Sequence, residues 1–228
     1  MADARRIGTC VVEEFADGKL VVVVDEHADN GALMVSAASA GSSRIAAMVR
    51  VSTGFVVAAA EASVLERLRI PRSPAHDRLS GVPDFGISVD GVGTGTGISA
   101  HARAETLRRL GNPEASASDF VRPGHVMTQW VHDSGRPGGM ASAAVQLARM
   151  IGGVPVAAYA HLVGLTDPTG LASAAEARSF GELSGLEVAT TSEISRLAST
   201  DLGRSTVPLS GEGRSSHLDR GRRGAGAA

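Results

Sequence analysis

Four histidines, His27, His101, His125 and His161, are the side chains of this chain best suited to moving protons. Imidazole titrates near neutral pH, so it can take a proton from carbon or hydroxyl and return it elsewhere without a metal. The plainer reading of any one of them is a surface or core filler. Three of them, joined by Asp29 or Glu26, would also suit a zinc ion, but their spacing matches no zinc-binding pattern. Arg122 and Arg136 could each grip a carboxylate or phosphate through two parallel hydrogen bonds, or serve a structural ion pair with an acid such as Asp119. The run VGTGTG, Val92 to Gly97, precedes a helix start, where anions can be held. It lacks the lysine of a phosphate-binding loop and the downstream acid of a dinucleotide fold, and reads as a turn. Cys10 has no partner nearby in sequence and is expected to be an inert thiol.

Both strand and helix patterns are present to carry these groups. Lys19 to Asp25 contains four consecutive valines, β-branched residues that favour a buried strand, and the polar DEHADNG that follows is expected to turn. Ile45, Met48 and Val49 share one face of a helix that begins behind Ser42 and stops at Ser52-Thr53-Gly54. A strand is expected over Phe55 to Ala60, a short helix over Ala62 to Leu68, a loop over Arg72 to Pro83 and a strand over Phe85 to Val89. Ser99 opens a helix with Arg108 and Arg109 in its last turn and Gly111 as its cap. Beyond it the pattern predicts a loop over Asp119 to His125, a strand over Val126 to Val131, a loop over Ser134 to Gly139, a helix over Ala141 to Ile151 and a strand over Val154 to Leu165. Ser173 with Glu176, and Thr190 with Glu193, form capping boxes for two final helices.

The alternation predicts an α/β (α+β) fold, a mixed sheet flanked by helices in one domain over residues 1–203. Glycine, serine and arginine dominate from Arg204, so residues 204–228 are expected to form a disordered tail. A formal charge of −2 and 3% aromatic residues argue against nucleic acid as a partner. No apolar run approaches the ~18 residues of a membrane span, and no secretory signal is visible. A single cysteine excludes an internal disulfide framework and suits a reducing cytoplasm.

Several strings together resemble the 3,4-dihydroxy-2-butanone 4-phosphate synthase family over roughly residues 10–200. DFVRPGHV, Asp119 to Val126, is the most specific, similar to that family's RPGHV loop. GTGTGISAHAR (Gly93 to Arg103), MVRVSTG (Met48 to Gly54), FGISVD (Phe85 to Asp90) and AAVQLARMIGGVPVA (Ala143 to Ala157) support it. The resemblance implies homodimers with sites at the subunit boundary. It also implies a reaction that turns ribulose 5-phosphate into formate and dihydroxybutanone phosphate with Mg²⁺ or Mn²⁺ and acid/base carboxylates. Hard oxygen ligands are what that chemistry requires.

At the matching positions this chain differs. The family's metal-binding Glu falls on Ala28, the Arg before it on His27 and the closing Asp on Ala32. The second ligand, a His, falls on Met140, a soft thioether. A catalytic Glu falls on His161 and the Asp of the SAxDR string on Ala102, while Arg136 stands where a phosphate-contacting Arg is expected. The expectation is a divergent enzyme of specialised metabolism that dehydrates, isomerises or cyclises a small enolisable molecule without any cofactor or metal. His125 and His161, with His27 as a third candidate, would be the acid/base groups. Ser52, Thr53, Thr96, Arg122, Arg136, Asp29 and Met140 would shape the substrate site. Two alternatives remain, an inactive partner subunit and a true synthase with shifted ligands at Asp25, Glu26 and Asp29.

Overall fold

A computed structural model describes residues 10–74, 83–132 and 139–202. Arg136 and the tail from Arg204 onward lie outside the described residues. Helix α1 covers residues 10–16 and leads into strand β1, Val21–Asp25. Strand β2, Asn30–Ser36, returns antiparallel beside it, with Val23 opposite Ala32 and Asp25 opposite Asn30. Sequence reading left β2 unassigned. Its NGALMVS is buried on both faces, so it carries an unbroken apolar run rather than the alternation that marks a half-exposed strand.

Helix α2 (Ser42–Val51), strand β3 (Val57–Glu61) and helix α3 (Ala62–Arg67) follow. Then come β4 (Val89–Gly91), α4 (Ala100–Leu110), β5 (Phe120–Val131), α5 (Met140–Met150) and β6 (Val156–His161). Helix α6 (Ala174–Ser184), β7 (Val188–Thr190) and α7 (Thr191–Leu202) complete the described chain. Both predicted capping boxes form. Ser173 and Glu176 exchange hydrogen bonds at α6, and Thr190 and Glu193 do the same at α7. At α2, by contrast, Gly41 is the cap and no side chain bonds to it, so Ser42 is already helical. The expected loop from Asp119 to His125 falls within β5, where Phe120 and Val121 pair with β4 and Arg122 to His125 bulge out before Val126 pairs with Val89.

The strands make one mixed sheet in the order β4-β5-β3-β6-β2-β1-β7. Val22, Leu33, Ala58 and Ala158 point to one face, where Met48, Leu107, Leu110 and Ala177 of α2, α4 and α6 cover them. Val23, Met34, Ala59 and Tyr159 point to the other, under Phe15 of α1, Met140 and Leu147 of α5 and Ile194 of α7. Leu147 is fully buried, and such a leucine contributes about 1.5–3 kcal/mol by leaving water. A close approach fixes α6. An added Cβ at Gly31 would lie 2.2 Å from the Ala177 methyl, so α6 packs directly on the backbone of β2. No helix of the described residues is long and apolar enough to cross a membrane.

Candidate active site

Side chains alternate along a strand. Tyr159 of β6 faces α5, so His161, two residues on, projects from the same face at the strand's end. Ala32 is its direct neighbour on β2. Its backbone carbonyl accepts a 2.9 Å hydrogen bond from the Thr53 amide, and Ser52 bridges to Leu162. The segment after α2 is thereby stitched to the end of β6. Asp25 ends β1 on the same face, by the same alternation from Val21 and Val23. Its Oδ1 accepts hydrogen bonds from the amides of His27 and Ala28, both 3.1 Å, which folds the β1–β2 turn around it. Its Oδ2 lies against the α5 N-terminus, 3.2 Å from where a Cβ on Gly139 would sit. A carboxylate there is favoured by the positive end of the helix dipole.

Burial pushes His161 below the ordinary histidine range, opposed by a backbone hydrogen bond at Gly31 and by the Asp25 charge. Nδ1 of His161 is buried and without a hydrogen-bond partner. A neutral imidazole with a free ring nitrogen is the form that accepts a proton. Met140 opens α5 beside Asp25 and is itself buried.

His125 lies on β5 in the stretch that bulges between the Asp90–Val121 and Val89–Val126 pairs. Its ring turns toward β4, where Nδ1 meets Asp90 Oδ2 at 2.7 Å while the His125 amide donates to Asp90 Oδ1 at 2.8 Å. The two histidines expected to act as a pair are therefore not brought together. Asp90 was missed as a partner. The signal was FGISVD itself, whose last residue is held in place by Gly97, where a Cβ would fall 2.0 Å from Asp90 Oδ2.

Other expected groups are committed elsewhere. The Arg122 guanidinium donates to the carbonyls of Ala117, Phe120 and Leu68, at 3.1, 3.0 and 2.7 Å. These bonds tie the segment before β5 to the end of α3, while Arg122 Nε is buried without a hydrogen-bond partner. Asp29 accepts from the Ala174 amide at the start of α6, 2.9 Å, a structural use. Ser52 and Thr53 each accept from an amide two residues on, at 3.1 and 3.3 Å, beside His161. His27 and Thr96 are exposed. Ser42 Oγ meets the His101 ring at 3.2 Å.

The model of 3,4-dihydroxy-2-butanone 4-phosphate synthase matches residues 9–197. The chain belongs to that family. Its riboflavin biosynthesis relatives include the RibBA proteins of Mycobacterium tuberculosis (strain ATCC 25177 / H37Ra) and Mycobacterium ulcerans (strain Agy99), each 35% identical over 188 residues. The match covers 80% of this chain and 44% of each relative, so the chain spans less than half the length of these curated proteins. A 3,4-dihydroxy-2-butanone 4-phosphate synthase in complex with two magnesium ions superposes with a TM-score of 0.76 at 29% identity. It covers 87% of this chain and 98% of that one. The synthase of Candida albicans superposes at 0.75 with 27% identity over 83% of this chain and 95% of that one.

The magnesium complex overturns the expectation that no cofactor is involved. The donors present here do not yet assemble a site for such an ion. Ala28 and Met140 offer no hard oxygen, Asp25 already uses one oxygen on the turn, and the described residues hold no group of three His, Cys, Asp or Glu that could bind a metal ion.

Proposed function

We propose that this chain is a lyase of the dihydroxybutanone phosphate synthase type, acting on an enolisable keto-sugar phosphate with ribulose 5-phosphate as its first candidate. The match over residues 9–197 carries this reading, since it spans both His161 and Asp25 and the elements that position them. Splitting ribulose 5-phosphate into formate and dihydroxybutanone phosphate needs no net water and no oxidant. It needs protons moved between carbon and oxygen. His161, with Nδ1 buried and unpaired, is the acceptor for such a proton, and Asp25 stabilises the imidazolium that results. Ser52 and Thr53 border the same strand end and would contact substrate hydroxyls.

A second reading, chemistry redirected to another enolisable molecule, is favoured by Met140 and Ala28, which make this corner more apolar than a polyol phosphate site requires. Pairing of two chains would suit the exposed apolar groups Val92, Ile98 and Val121 around the β4 edge. The lone Cys10 accords with a cytoplasmic setting. The test is formate release from ribulose 5-phosphate with Mg²⁺ or Mn²⁺ supplied. Formate supports the synthase reading, and its absence with intact protein favours the redirected one.

A further inference from the structure

Tyr159 and Gln129 take no direct part in the chemistry above, yet they are the most constrained polar pair near it. The Tyr159 hydroxyl donates to Gln129 Oε1 at 2.5 Å, and both side chains are buried. Gln129 lies opposite Ala59, and Ala59 opposite Ala157, so the bond crosses β3 diagonally. Only methyl-sized side chains at Ala59 and Ala157 leave room for that crossing. Burial pushes the Tyr159 phenol up to about 12, so it stays a neutral donor. Its ring then meets the His161 ring edge-to-face, with centroids 5.6 Å apart and planes at 88°. Such contacts have a preferred geometry and resist rotation of the partner ring. A backbone hydrogen bond at Gly31 engages the same ring, and the tyrosine edge keeps the imidazole in the orientation that makes it, which decides the lone pair left free.

We propose that Gln129 and Tyr159 are positioning residues for His161, Gln129 locking the tyrosine and the tyrosine edge holding the imidazole in one orientation and one tautomer. This deepens the reading of His161 as the acid/base group and rests on it. The test is ring-nitrogen NMR of the full chain labelled with ¹⁵N-histidine, at a pH where the imidazole is neutral, with the His161 signal assigned from its loss in His161→Gln.

The native chain should show a single neutral tautomer for His161. Tyr159→Leu should give an averaged signal, and Tyr159→Phe and Gln129→Met should each shift it partway, with the double variant no worse than either alone. On ribulose 5-phosphate the latter two should lower kcat roughly 10- to 100-fold with KM unchanged. A native-like His161 signal in folded Tyr159→Leu, or fully additive effects of Tyr159→Phe and Gln129→Met, would overturn the proposal. Should Tyr159→Leu not fold, the two milder variants decide. A chain without turnover that still shows the tautomer change would sink the functional reading and leave the positioning intact.

Discussion

His125, in the bulge of β5, and His161, at the end of β6, have surroundings that give them opposite characters. His125 is exposed, but both its amide and its ring are tied to Asp90, itself held by Gly97. His161 is largely buried and keeps a ring nitrogen without a partner. The bonds of the His125 amide and Nδ1 to Asp90 tie the β5 segment to β4 and fix the ring. A histidine that is desolvated and keeps one ring nitrogen without a partner is a candidate for exchanging a proton. On the proposed reading the two regions divide the work, the β4–β5 edge fixing backbone and the β6 end moving protons.

The division breaks first at Gly97. Its φ is +75° and a Cβ would overlap Asp90, so Gly97→Ala is expected to cost about 2–4 kcal/mol in chemical denaturation. A loss under about 0.5 kcal/mol would mean that the tether is loose. Asp90→Ala removes both bonds to His125 without backbone strain and should cost about 1–2 kcal/mol. It should leave the His161 NMR signal where it was, and movement of that signal would show the two regions to be coupled.

Much of the architecture was legible from the sequence, because β1, α2, α4, α5 and α6 are set by local patterns that tertiary packing then agrees with. The valine run and the reciprocal Ser173–Glu176 cap are examples. Strand β2 was not, because a strand covered on both faces carries no alternation. The candidate site was half legible. His161 could be singled out by position, whereas Asp25's turn and α5 contacts, the tie of Asp90 to His125 and the Tyr159–Gln129 bond all depend on strand register and crossing direction. No local spacing encodes those. The bonds of Arg122 were not legible for the same reason, since a guanidinium aimed at substrate and one donating to the carbonyls of Ala117, Phe120 and Leu68 look alike in sequence.

Smaller effects sharpen the picture. The folded-state pKa of His161 lies below the ordinary value of 6.5, so the unfolded chain binds the proton more readily between those two values. The His161 contribution to stability is therefore complete above about 6.5 and is lost as pH falls toward the folded pKa. The pH dependence of the denaturation midpoint across that window should weaken in His161→Gln, and an unchanged dependence would show that His161 is not the desolvated group. Away from both regions, Ser173→Ala removes the α6 cap and should cost about 1 kcal/mol by thermal melting. Activity should be untouched, and a large activity loss would show that α6 and the Asp29 contact reach into the site.

The account stands or falls on formate release from ribulose 5-phosphate, with Mg²⁺ supplied, by the native chain and by His161→Gln and His125→Gln in parallel. It predicts formate from the native chain, a fall of roughly 10²- to 10⁴-fold in folded His161→Gln and at most a few-fold fall in His125→Gln. Native-level formate from His161→Gln, or a greater loss in His125→Gln, would contradict it.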